Sequence, residues 1–229
     1  MRIISAIAVA VFIMAATAAE ARTSADKEAT ARSCRDAVTE AERRYRIPAG
    51  LLQAIALVES GRTISGNPAK TAWPWTIHSE GTGRWLDSRG QAVEMVEDLQ
   101  ARGVTNIDVG CMQVNLMYHP DAFADLKSAF TPSVNADYAG RFLSELFQET
   151  KSWTRAASYY HSRTPEHATR YRKLVIAAWN GGAAGVRQAV RADVRAKLGR
   201  NTSAAGKLRR LGSSVYINNG SSTVRIRRY

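Results

Sequence analysis

Glu59 follows Ile55 by four residues, and Ile55 follows Leu51 by four, so on a helix its carboxylate continues an apolar stripe. A carboxylate on a core-facing stripe near a helix C-terminus is partly desolvated and feels the negative end of the helix dipole. Both disfavour the charged form and raise its pKa, which a general acid working near neutral pH requires. The same position also suits an ordinary boundary glutamate, and pattern alone leaves both readings open. Asp108 is the acid nearest the polar cluster Gly110-Cys111-Met112-Gln113-Val114-Asn115. It reads as a second carboxylate or, more simply, as a cap on the turn from Asp108 to Cys111. The four histidines, His78, His119, His161 and His167, lack paired metal-ligand spacing, so neither a metal site nor a cofactor is expected.

The elements that must position these residues are mainly helical. Cys34, Val38, Ala41 and Tyr45 form one stripe, which predicts a helix from Asp26 to Arg46. Pro48 stands near the start of a second helix carrying Leu51, Leu52, Ile55 and Val58, and Gly61 is its stop. Residues 62–87 are rich in breakers. Short strands at Trp75–His78 and Arg84–Leu86 predict a small β-hairpin between helices. Its Trp73, Trp75 and Trp85 either anchor the hairpin to the helical body, the favoured reading, or stack on a ligand. Ser88 and Gln91 predict a capping box for a helix burying Ala92, Val96 and Leu99. Further helices start after Thr131-Pro132 and Ser152, and a last one bears Tyr171, Leu174, Val175 and Ala178, stopped by Gly181-Gly182.

The first residues bear on compartment. Met1-Arg2, the apolar run Ile3–Ala16 and the small-residue site Ala19-Glu20-Ala21 predict a signal peptide over 1–21 and a protein secreted to the periplasm, with no stable membrane anchor. An uncleaved anchor is the competing reading of the same run. Cys34 and Cys111 are the only cysteines, so in an oxidising compartment they form the one possible disulfide; two separate buried thiols are the alternative.

Charge is uneven. The chain carries +12 in all, and residues 181–229 hold eleven Lys and Arg against the single acid Asp193. That stretch is poor in large apolar residues, so 22–180 reads as the folded domain and 181–229 as a basic, disordered tail with some transient helix. The tail is a plain solvated extension or an attachment to anionic envelope polymers or a partner. Nucleic acid is not an expected partner, because a secretion signal precedes the domain and the tail does not interleave aromatic with basic residues.

Three segments occur in order: Ile47-Pro48 leading to Glu59-Ser60-Gly61, then Gly110–Asn115, then Ala156-Ala157 before Tyr159-Tyr160-His161. Together they resemble the motifs of the soluble lytic transglycosylases, relatives of goose-type lysozyme, and the resemblance covers Asp26 to Trp179. It implies a mainly α, lysozyme-like (α+β) fold, the small hairpin flanking an active-site groove. It implies that Glu59 is the acid/base, that Ser60 helps position the reacting sugar, and that Met112, Gln113 and Asn115 line the groove. It also implies that the Tyr160 hydroxyl sits near the catalytic carboxylate. His161 departs from the common asparagine, and an imidazole does not reproduce an amide's paired donor and acceptor. The favoured reading of His161 is a structural residue bonded to backbone.

Ordinary glycosidases use two carboxylates. The resemblance implies a one-carboxylate route on peptidoglycan glycan strands, ending in 1,6-anhydromuramyl products. A monomer is expected, serving a secretion, conjugation or flagellar machine. The competing expectations are a lysozyme-type hydrolase and a non-catalytic glycan-binding scaffold, the latter favoured by His161.

Overall fold

A computed structural model describes residues 3–64 and 67–208. Contacts divide the chain into a unit ending at Val190 and a second one beginning at Arg191. In the first unit a helical body stands beside a small antiparallel sheet, the mainly α architecture expected.

Helix α1 (Ile3–Arg44) begins well before the expected Asp26. Its stripe buries Cys34, Val38 and Ala41, and Tyr45 follows just beyond its end. The helix packs on α5 (Pro132–Thr150), and the two come close at Gly140, where a Cβ would meet Tyr45 Cδ2 at 2.8 Å.

Helix α2 (Leu51–Ser60) starts three residues later than Pro48. Pro48 instead lies in the preceding turn, where its carbonyl accepts from the Leu51 N–H. The start of α2 is capped from α1: the buried Glu42 carboxylate accepts from the backbone N–H of Gly50 and of Gln53, each at 3.0 Å. An anion there satisfies orphan donors and complements the helix dipole. Gly61 does end α2, but not through a left-handed turn, since its φ is −60°. A side chain is excluded because a Cβ would lie 2.2 Å from the Leu57 carbonyl oxygen.

Two antiparallel sheets follow. One pairs β1 (Arg62–Ile64) with β2 (Asn67–Thr71). The other contains β3 (Thr76–Ser79), β4 (Thr82–Trp85), β5 (Ile107–Val109) and β6 (Val114–Asn115), in the order β4-β3-β5-β6. The expected hairpin is therefore β3–β4, moved by about one residue, with Glu80 and Gly81 at φ 51° and 73° in its two-residue turn. It is half of a larger sheet, because β5 adds to β3 and brackets the Gly110–Asn115 segment together with β6.

Helix α3 (Arg89–Ala101) is capped by Ser88, whose hydroxyl accepts from Gln91 N. The return bond of Gln91 goes to the Asp87 N–H rather than to Ser88, a shift of one residue from the expected box. Ala92, Val96 and Leu99 pack against Ile77, Ile107, Val109 and Phe130, which gives the sheet a core of its own. The larger core joins α1, α2 and α5 to α6 (Trp153–His161) and α7 (Pro165–Leu208), with Cys111 and Met112 inserted. Between α3 and α5 lies the short helix α4 (Leu126–Ala129).

The helix bearing Tyr171 stops at Gly181-Gly182 as expected: Gly182, with φ 53° and ψ −143°, is not helical, and a second helical stretch follows it to Leu208. A Cβ at Gly185 would meet the Ala177 carbonyl oxygen at 1.8 Å, and Val186 belongs to the main core, so the chain after Gly182 turns back against α7's first part. The folded body thus passes the boundary expected at residue 180. Residues 209–229 of the basic tail lie outside the described residues, as do Met1 and Arg2 of the leader segment. Among the described residues no helix is long and apolar enough to cross a membrane.

Candidate active site

Glu59 sits one residue from the end of α2, where the apolar stripe runs out beside a groove of about 850 Å³. The groove lies between the sheet and the helical body. Thr76, His78, Trp85 and Asp108 line one side; Tyr138, Phe142, Tyr159, Tyr160 and His161 line the other. Burial pushes the Glu59 carboxyl up to about 7, and the Asp108 charge pushes the same way. Against them acts a hydrogen bond from the Tyr171 hydroxyl to Glu59 Oε1 at 2.5 Å, which lowers the pKa. Burial and the neighbouring Glu59 hold the Tyr171 hydroxyl well above 10, so it remains a donor at neutral pH.

The segment carrying Gly110–Asn115 is fixed through its main chain. Gly110 has φ 84°, and a Cβ there would lie 2.4 Å from Asn135 Nδ2, so only glycine fits. Asn135 is fully buried on α5; its amide accepts from Met112 N at 2.9 Å and donates to the carbonyls of Val109 and Ala129. Cys111 is disulfide-bonded to Cys34 of α1.

The expected site residues divide into two groups. Glu59, Gln113, Asn115 and Tyr160 all line the groove. The Gln113 amide donates to Thr76 O and Gly110 O, at 3.0 and 3.1 Å. Ser60 and Met112 do not reach it; both are fully buried. The Ser60 hydroxyl donates to Cys111 O at 2.6 Å and accepts from Trp73 N at 3.2 Å, tying the end of α2 to the segment after β5. Met112 fills the main core with its side chain.

The Tyr160 hydroxyl donates to Met112 O at 2.9 Å, and burial and then the nearby Glu59 raise its pKa; Tyr171 is the residue hydrogen-bonded to Glu59. Tyr171 had only the signature of a core residue, an aromatic on an apolar helix stripe. Asp108 does not cap the turn to Cys111: Oδ1 accepts from Asn115 Nδ2 at 2.8 Å, and Oδ2 lies 3.3 Å from His78 Nδ1. The ring of His161 stacks on Tyr171, centroids 4.6 Å apart and planes 8° off parallel, in place of the expected backbone bond.

The tryptophans split between their two readings. Trp73 is buried, with the Arg62 guanidinium 4.6 Å above its ring and its indole N–H on Leu86 O. Trp85 is 43% exposed on the groove wall, and its indole N–H donates to Ser60 O at 3.0 Å. Among the described residues no three His, Cys, Asp or Glu side chains gather as a metal site.

What this arrangement offers is a neutral-pH carboxylic acid in a wide groove, with aromatic rings to receive a chain of flat, apolar-faced units such as sugars. Asp108 is the only other carboxylate among the lining residues, and it is already engaged. A comparison with protein-family models matches residues 36–198 to the transglycosylase SLT domain. No curated protein and no solved structure matches the chain. The matched span contains Glu59, the Gly110–Asn115 segment, Tyr160 and Tyr171, and it covers most of the sequence; the chain therefore belongs to the SLT family of peptidoglycan lytic transglycosylases.

Proposed function

We propose that Glu59 acts alone as acid and then base to cleave the β-1,4 bond between N-acetylmuramic acid and N-acetylglucosamine. Its carboxylic acid gives a proton to the bridging oxygen as the C1–oxygen bond breaks, releasing the N-acetylglucosamine 4-hydroxyl. The muramyl N-acetyl oxygen closes on C1 and takes up the positive charge. The Glu59 carboxylate then removes the proton of the muramyl 6-hydroxyl, whose oxygen bonds to C1 and displaces the acetyl oxygen. Glu59 ends protonated again, the product is a 1,6-anhydromuramyl end, and no water is consumed.

The observation that carries this reading is a carboxyl with pKa about 7 in the groove. A group at that pKa exists in both forms at neutral pH, as a residue that gives and retakes one proton requires. The second lining carboxylate is occupied by Asn115 and His78, which favours a substrate-assisted route over a two-carboxylate hydrolysis.

The test is digestion of purified sacculi by wild type and Glu59→Gln, with products read by mass spectrometry. Anhydro-muropeptides from the wild type and none from the variant are expected. Reducing ends without anhydro forms make the protein a hydrolase; no release by either protein makes it a binding scaffold.

Compartment and setting complete the proposal. Residues 1–21 direct the chain to the periplasm, and 22–180 supply the groove. The basic C-terminal stretch adds affinity for anionic envelope polymers, and the monomer opens the wall locally for a secretion, conjugation or flagellar machine. A tagged chain found in the cytoplasmic fraction would reject the first of these.

A further inference from the structure

Tyr171 is only 5% exposed and does not line the groove, although its hydroxyl reaches a groove carboxylate. What stands between its ring and the groove is His161, which lines the groove and lies flat on Tyr171. His161 ends α6, and Tyr171 belongs to α7, so the contact joins two elements. We propose that His161 is a positioning residue: its ring covers Tyr171 on the groove side and keeps water from the Tyr171–Glu59 hydrogen bond. The proposal rests on Glu59 being the acid/base.

Several features make a ring the right group here. The planes are 8° off parallel at 4.6 Å, so the imidazole blankets the phenol face rather than touching its edge. Burial lowers the His161 pKa; His167 and Arg170 lower it further, against the opposing charge of Asp108. The ring is thus neutral at neutral pH and adds no cation beside Glu59, where a cation would favour the ionised carboxylate. Besides His167 and Arg170, Tyr160 of α6 and Asp108 of β5 face the pair, and each is held by a hydrogen bond that does not involve the ring, Tyr160 to Met112 O and Asp108 from Asn115 Nδ2. Burial is the largest influence on Glu59, so admitting water should stabilise its ionised form and lower its pKa.

The experiment titrates Glu59 itself, by carbon NMR of glutamate labelled at the side-chain carboxyl, the resonance assigned with Glu59→Gln. In His161→Ala the Glu59 pKa should fall by about one unit. The protonated fraction at pH 7, and kcat on sacculi with it, should then drop about fivefold. His161→Asn, which also lacks a ring, should shift in the same direction. His161→Phe restores a flat ring without a titrating nitrogen and should hold the pKa within about 0.3 unit of wild type. An unchanged Glu59 titration in the Ala and Asn variants overturns the proposal, and so does a Phe variant shifted as far as Ala. Full activity of Glu59→Gln would instead overturn the catalytic reading, while the titration still decides what His161 does.

Discussion

The hydroxyl of Ser60 lies 2.6 Å from the carbonyl oxygen of Cys111, and both atoms are out of reach of solvent. The neighbour of Glu59 in sequence therefore points away from the groove and locks the acid's helix to the segment carrying Gln113. Removing that hydroxyl leaves the Cys111 carbonyl and the Trp73 N–H short of a buried partner. Ser60→Ala should cost about 2 kcal/mol in urea unfolding. It should lower kcat more than KM, because it displaces the acid without removing a contact to the glycan.

Glu59 makes the stability of the fold depend on pH in a direction opposite to most carboxylates. Its folded pKa, about 7, exceeds its ordinary 4.5, so the native state holds a proton that the unfolded chain releases. The stabilisation from that proton is whole below pH 4.5 and is lost as pH rises through 7. Glu59→Gln should be more stable than wild type at pH 8, by roughly 2 kcal/mol after allowance for solvent at a partly open carboxyl. The gap should close towards pH 4, as measured by denaturant melts across the range.

Tyr171→Phe deletes the donor that favours the ionised form of Glu59. The Glu59 pKa should rise further, moving the alkaline limb of the pH–rate profile upward. The rate should also fall about tenfold as the carboxyl loses its fixed orientation. A profile that moves downward would show that Tyr171 chiefly excludes water.

The Cys34–Cys111 bridge spans 77 residues and anchors the Gly110–Asn115 segment to α1. In the chain-entropy account, closing a loop of that size is worth about 4 kcal/mol. A Cys34→Ala/Cys111→Ala double variant should show that loss in equilibrium unfolding. It should also lose activity at temperatures where the rest of the helical body still gives native circular dichroism.

The helices were legible because each buries a stripe that repeats at helical spacing, and two of them, at Ser88 and Ser152, start at a side-chain cap. β5 and β6 have three and two residues, too few for any alternation to register. Glu42 has no signature in the sequence, because its role as a cap on α2 exists only after folding. Ser60 and Met112 were assigned to the sugar by motif, yet which side of a turn a side chain takes depends on the packing around it. Asn135 carries no local signal and Tyr171 only that of a core aromatic, since the groups they hold lie 23 and 112 residues away. Gly182 does stop its helix, but the second helical stretch after it lacks the large apolar residues that would announce it.

The distance between Tyr171 and Glu59 along the chain has a consequence for biosynthesis. The ribosome releases the carboxyl long before its phenolic partner, 112 residues later on the last described helix. Until that helix docks, the Glu59 carboxyl lacks the hydroxyl that fixes its orientation. A nascent or truncated chain ending before Tyr171 thus carries the motif in full but holds its acid without the bond that aims it.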